Sequence, residues 1–93
     1  MAVTIQHVRQ RLSGAEVDYE YAAELGDAAL PHLAELAARA DTVLACKALY
    51  LASLIGGPRS TEIIAAAADH EDPIIRIAAS AALRNLRQAG RTG

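Results

Sequence analysis

Helix-starting and helix-ending residues recur along this chain at short intervals, which limits every regular element to a few turns. Asp41 and Asp72 each precede a helical pattern as N-capping residues, and Pro73 occupies the first helical position, where a proline is tolerated. The Gly-Gly-Pro segment at 56–58 ends the helical pattern before it. The chain is therefore predicted to consist of short helices.

Six helices are predicted from these signals and from apolar residues at helical spacing. They cover residues 4–12, 16–25, 28–40, 42–55, 61–70 and 73–88, with Asp27 and Ser60 as further N-caps. Residues 89–93 are expected to form a flexible tail. Nearly a quarter of the 93 residues are alanine and 53% are hydrophobic. This composition is typical of one small helical domain and excludes a largely disordered chain.

The composition also excludes several classes of protein. Cys46 is the single cysteine, so an internal disulfide framework and a multi-cysteine zinc site are ruled out. No stretch approaches the roughly 20 apolar residues of a membrane span. The first residues do not form a signal-peptide pattern, so a cytoplasmic protein without membrane contact is predicted. The net charge of −2 argues against general nucleic-acid binding.

No residue pattern for catalysis is evident. His7, His32 and His70 fall in separate predicted helices or helix ends and have no metal-ligand spacing. Cys46 has no helper motif, and a free cysteine usually behaves as a small hydrophobic residue. The glycines at 56–57 lack the lysine of a phosphate-binding loop. We therefore expect a non-enzyme without cofactor or metal.

An internal repeat is indicated when the chain is shifted by 31 residues against itself. Capping, glycine and branched positions then coincide together, including Gly26 with Gly57, Asp41 with Asp72, and Ile55 with Leu86. Within the last helix, one stripe predicts the core-facing residues: Ile75, Ala79, Ala82 and Leu86. A single hairpin cannot bury such a stripe, so the hairpins are expected to stack.

The segment 72–86 resembles the second helix of a HEAT repeat, with Asp72, a branched residue before Arg76, and then an Ala-Leu pair at 82–83. Segment 41–55 resembles the same helix, although Ala45 stands where the family has arginine. The short period is closer to the compact HEAT-like repeats of phycobilisome lyases. The resemblance implies that Arg76 pairs with Asp41 or with Asp72.

The fold class that the resemblance implies is an all-α, short HEAT-like solenoid of about three stacked hairpins. Its single domain would cover residues 1–88, with a cap pair at 1–25 and repeats at 26–56 and 57–88. Second helices line the concave surface of such stacks. That surface would carry a stripe ending in arginines, made of Cys46, Leu49, Ser53, Ile77, Ser80, Arg84 and Arg87. The alternative is that these residues pack against the tail or a neighbouring helix.

An exposed apolar stripe indicates a binding site. The expected function is therefore a non-catalytic adaptor or scaffold that binds a partner protein along this stripe. A homodimer through the hairpin 57–88 is an alternative, because that hairpin is rich in isoleucine: Ile63, Ile64, Ile74, Ile75 and Ile77. Two further alternatives are an accessory subunit of a chromophore-lyase-like enzyme and a weak nucleic-acid binder that uses Arg84 and Arg87.

Overall fold

The chain is mainly helical in the computed structural model, which describes residues 2–91 and the side chains of residues 2–88. Most of the described residues are in helices, and they include no strand. The elements are α1 (Ile5–Leu12), α2 (Tyr19–Ala23), a 3-10 turn (Gly26–Ala29), α3 (Leu30–Arg39), α4 (Thr42–Ile55), α5 (Pro58–Ala67) and α6 (Pro73–Arg91). The all-α prediction is confirmed.

The capping residues predicted at the two longest helices are in place. Asp41 caps α4 by accepting a 2.9 Å hydrogen bond from the Leu44 amide. Asp72 precedes α6 and accepts a 2.9 Å hydrogen bond from the Ile74 amide. Each bond satisfies an amide that has no partner within its helix, so both helices begin where the sequence predicts.

Several predicted boundaries are wrong. The helix predicted at 16–25 is shorter, because Asp18 caps α2 and the helix ends at Ala23. The helix predicted to reach residue 70 ends at Ala67. Asp27 lies inside the 3-10 turn, and α3 begins at Leu30. Ser60 is not an N-cap, because α5 already begins at Pro58 and Gly57 takes the capping position. Ser60 instead lies within α5, fully buried, and its Oγ has no hydrogen-bond partner among the described residues. α6 continues to Arg91, so residues 89–91 are helical, whereas 92–93 of the expected tail lie outside the described residues.

α4 lies at the centre of the fold and contacts each of the other five α-helices. Its buried face includes three alanines, which allow neighbouring helices to approach closely: Ala45, Ala48 and Ala52. The core stripe predicted for α6 is confirmed, since Ile75, Ala79 and Ala82 are buried and Leu86 is half-buried. The molecule is compact, with a radius of gyration of 12.0 Å.

α4 and α6 run side by side in the same direction. Near their N-termini the Thr42 hydroxyl donates a hydrogen bond to Asp72 Oδ2, and towards their C-termini Asn85 Nδ2 donates to Ser53 Oγ at 2.9 Å. The two bonds join residues that are 30 and 32 positions apart in the chain. These polar contacts fix the register of α6 along α4.

The N-terminal segment is tied to α3 and α4 by polar and aromatic contacts. Lys47 Nζ donates to the carbonyl oxygens of Leu12 and Gly14, at 3.1 and 2.8 Å, where the end of α1 leaves carbonyls without helical partners. His32 Nε2 donates to the Val3 carbonyl at 2.8 Å. The rings of Tyr19 and Tyr50 pack edge to face, with their centroids 4.7 Å apart. These contacts anchor α1 and α2 against the central helix.

Arg76 does not form the ion pair that the resemblance to HEAT repeats implies. Its Nη1 donates instead to the carbonyl oxygens of His70 and Glu71, at 2.8 and 3.0 Å. Those carbonyls lie in the connection between α5 and α6, where helical partners are missing. The Asp72 carboxylate is already engaged by Thr42 and by the Ile74 amide.

Thr42→Val is expected to raise the pKa of Asp72 towards its ordinary value of 3.8. The Thr42 hydroxyl is the largest cause of the lowered pKa in the folded protein, followed by the Ile74 amide. A carboxyl whose folded pKa is depressed stabilises the fold above its unfolded pKa, and this contribution is lost as the pH falls through the folded value. As the pH falls below about 4, the free energy of unfolding should therefore decrease less in the variant than in the unaltered protein.

A carboxyl titration by NMR measures this change directly. Thr61→Val is the matched control, because the Thr61 hydroxyl donates to the Gly57 carbonyl rather than to an acid. An Asp72 pKa that stays as low in Thr42→Val as in the unaltered protein would contradict the assignment.

Candidate functional site

A groove of about 440 Å³ lies between α4 and α6. Cys46 and Tyr50 line it from α4, and the remaining lining residues belong to α6: Ala78, Ala81, Ala82, Arg84, Asn85 and Gln88. We call this depression the α4–α6 groove. Its floor is formed mainly by methyl groups, and polar side chains lie towards the C-terminal end of α6.

The groove follows from how the two helices are held. Thr42 and Asp72 bridge them near one end, and Ser53 and Asn85 bridge them near the other. Between these bridges α6 presents alanines, whose side chains are too short to fill the space beside α4. The depression therefore arises from small residues between two fixed contacts.

Large apolar side chains are exposed mainly on α4 and α6. Of the six that are exposed among the described residues, all but Tyr21 belong to α4 or α6: Val43, Tyr50, Leu54, Ile74 and Ile77. At about 100° per residue, the three on α4 fall within about 40° of one another. The two on α6 fall within about 60° of one another, and Ala81 lies between them. Of these five, Tyr50 lines the groove, whereas Val43 lines a depression between α1 and the start of α4.

The C-terminal half of α6 is positively charged. The helix carries four arginines and no Asp or Glu. Within the described part of the chain, the arginine side chains with hydrogen-bond partners are those of Arg11 and Arg76. Arg84 lines the groove and Arg87 is exposed on the same helix, so both guanidinium groups are available to a ligand.

The structure separates the seven residues predicted to form the binding stripe. Cys46 and Arg84 line the α4–α6 groove together. Three others are exposed on α6 outside the groove lining: Ile77, Ser80 and Arg87. Five of the seven are thus at least partly accessible.

Leu49 and Ser53 are not exposed, and their place in the predicted stripe is wrong. Leu49 is 0% exposed and Ser53 is 3% exposed. Because α4 packs against helices on several sides, the buried arc of its surface is wider than one stripe and includes both residues. The Ser53 hydroxyl is also used internally, since it donates to the Tyr50 carbonyl at 2.6 Å and accepts from Asn85.

Tyr50 and Asn85 are groove residues that the sequence interpretation missed. Tyr50 follows Cys46 by four positions, which places both on one face of α4. Asn85 is a polar residue in a mostly apolar helix stretch, next to the core residue Leu86. Both signals were present in the sequence, but neither distinguishes a groove from a packed helix surface.

The thiol of Cys46 is not activated. Partial burial raises the pKa of Cys46, and the negative charge of Asp72 raises it further. The thiol is therefore protonated at neutral pH, which disfavours nucleophilic chemistry. Among residues 2–88, no three His, Cys, Asp or Glu side chains are grouped so as to hold a metal ion. The groove lining combines apolar side chains with the positive charge of Arg84.

Two other depressions are less suited to a partner. One of about 390 Å³ lies between α1 and the start of α4, where Lys47 is already bonded to the carbonyls of the α1 end. A smaller one of about 160 Å³ lies between α3 and α5 and is lined mostly by alanines. No helix within residues 2–91 combines the length and the apolar character needed to cross a membrane.

Comparison with known proteins finds no matching family model, no similar curated protein and no similar solved structure.

Proposed function

We propose that this protein is a non-catalytic interaction module that binds a partner protein in the α4–α6 groove. The observation that carries the proposal is the exposure of five large apolar side chains on the two helices that form the groove. Contiguous exposed apolar surface is costly in water and marks interaction sites. A partner that covers the groove would remove part of this surface from solvent, including Tyr50.

The framework that we propose for this module is a short HEAT-like solenoid. In it α3 with α4 and α5 with α6 are the two repeats, and the segment 1–25 is a cap pair. The contacts between Thr42 and Asp72 and between Ser53 and Asn85 support this framework, because their spacing is close to the 31-residue shift of the sequence. In such a stack α4 and α6 are equivalent second helices, and their shared surface is continuous.

A homodimer is the second candidate, favoured by two exposed isoleucines in the last hairpin. Ile74 and Ile77 are exposed, but the other three isoleucines of segment 57–88 contribute little free surface. Ile64 and Ile75 are buried, and Ile63 is half-buried against the core. The dimer interface would therefore be confined to α6 rather than involve the whole hairpin.

Ala81→Arg is expected to abolish partner binding without affecting the fold. Ala81 is exposed and lines the groove, so the added side chain occupies the binding surface while arginine maintains helix propensity. The measurement is affinity capture from the native host with the purified protein as bait, read by quantitative mass spectrometry. Proteins held by the unaltered chain should be lost with this variant.

Ala65→Arg is the matched control, because Ala65 is an exposed alanine on α5 and does not line the α4–α6 groove. The same partners should be retained by this variant. If Ala81→Arg retained every partner that Ala65→Arg retains, the groove would not be the binding site.

A further inference from the structure

The chemistry of the groove also indicates what occupies it, provided that the proposed function holds. We infer that the α4–α6 groove receives a helical segment of the partner, with an apolar face towards the alanine floor and acidic side chains facing Arg84 and Arg87. Three features of the described residues lead to this inference: the unpaired guanidinium groups, the closed backbone of both groove walls, and the like charges that a second copy would bring together.

The guanidinium groups require an anionic occupant. Arg84 lines the groove, and a partner seated there would take its charge out of water. An arginine buried without a counter-ion is strongly unfavourable, whereas a carboxylate can accept two parallel hydrogen bonds from it. α6 supplies no acid of its own, and the Asp72 carboxylate is occupied at the opposite end of the helix by Thr42 and by the Ile74 amide. The carboxylates must therefore come from the partner.

The groove walls favour a helical occupant over an extended one. Both walls are α-helices, whose amides and carbonyls are bonded within the helix and offer no edge for strand addition. A helix satisfies its own backbone and can place one apolar face on the floor. From Ala78 to Gln88 the α6 wall rises by roughly 15 Å, which matches about three turns of helix.

A second copy of this chain is a poor occupant of the arginine-bearing end of the groove. In a two-fold symmetric contact centred on that end, the same surface patch of each copy meets the other. A pair of α6 helices that meet around Arg84 and Arg87 would therefore bring two sets of arginines together without any acid on either helix. Like charges placed opposite each other at an interface are repulsive, so charge favours an acidic partner over self-association at this end.

The test uses a ribosome-displayed library of random peptides about 20 residues long, which as helices would exceed the length of the groove wall. Peptides are selected on the unaltered protein, and their binding is measured by fluorescence anisotropy. Groove occupancy is read from the rate at which N-ethylmaleimide alkylates Cys46, the single cysteine, which lies in the groove lining. We expect the enriched peptides to be acidic and amphipathic and to slow alkylation of Cys46.

Charge reversal then identifies the residues that select the acid. Arg84→Glu/Arg87→Glu is expected to weaken the binding of these peptides about tenfold or more, and a tenfold change corresponds to roughly 1.4 kcal/mol of binding free energy. The matched control is Arg39→Glu/Arg59→Glu, which makes the same change in net charge at two exposed arginines on α3 and α5. The control is expected to change affinity by no more than about twofold.

Several results would overturn the inference. The enriched peptides could be basic or uncharged, could leave alkylation of Cys46 unchanged, or could weaken equally with both double variants. Protection of Cys46 that rises with protein concentration alone, together with a doubled mass by light scattering, would assign the groove to a second copy. The two proposals can also fail separately. If Ala81→Arg loses the captured partners but the selected peptides are not acidic, the proposed function stands and only the acidic helix is rejected.

Discussion

Leu49→Asp is expected to unfold the protein. Leu49 is fully buried on α4, the helix that contacts all the other α-helices, so a carboxylate at this position would be taken out of water. Removing a buried leucine side chain alone costs about 2–5 kcal/mol. Burial of an unpaired charge adds to this, whereas a domain of this kind has only about 5–15 kcal/mol of total stability. Far-UV circular dichroism and a guanidinium titration measure the outcome.

Ile77→Asp is the control for this prediction. Both residues belong to the stripe predicted from the sequence, but Ile77 is 68% exposed. Its replacement is expected to change stability by no more than about 0.5 kcal/mol. It should nevertheless weaken partner binding, because Ile77 lies one turn before the groove residue Ala81 on the same face of α6. A cooperatively folded Leu49→Asp protein would mean that α4 is rotated differently from the structure described above.

The double variant Gly56→Ala/Gly57→Ala is expected to lower the free energy of unfolding, although by less than Leu49→Asp does. Gly56 has φ 75° and ψ −173°, and Gly57 has φ 90° and ψ 170°. This backbone region is essentially restricted to glycine, and each residue forced into it costs about 1–3 kcal/mol. A Cβ at either position would meet no atom within 4 Å, so the loss arises from the backbone rather than from a clash. Urea unfolding of the double variant measures the total.

D-alanine at position 57 distinguishes backbone strain from any other cause. Its mirror-image torsional preference allows the positive φ of Gly57, and it restricts the unfolded chain more than glycine does. The protein can be assembled by native chemical ligation at Cys46, which lies between the two halves of the chain. We expect stability equal to or above that of the unaltered protein. A loss as large as that caused by L-alanine would refute the torsional explanation.

The helix starts that the sequence predicts correctly depend on local chemistry. Asp41 and Asp72 accept hydrogen bonds from amides two or three residues further on, so the information lies within one turn. Ser60 failed as a cap for an equally local reason. α5 begins at Pro58, before the predicted start at residue 61. The Gly57-Pro58 pair is a stronger start signal than the serine that follows it.

The groove was only partly predictable because α4 is apolar around most of its circumference. The polar groups on its side chains are those of Thr42, Lys47 and Ser53, together with the Tyr50 hydroxyl. They do not form a polar face that would mark the side of α4 that faces solvent. Leu49 and Tyr50 are neighbours in sequence, yet one is buried and the other exposed. Which of them faces solvent is decided by where α6 and α2 pack, and this is tertiary information. On α6 the arginines mark the solvent side, and Ile75 and Ile77 were assigned correctly.

The central position of α4 has a consequence for how the protein is made. α4 is covered on one side by α6, which is synthesised last among the described helices. Until α6 has left the ribosome, the side of α4 that it covers remains open to solvent, and an exposed apolar helix is prone to aggregate or to engage chaperones. We therefore expect the packing of α4 to be completed only at the end of synthesis, when the last described helix has emerged.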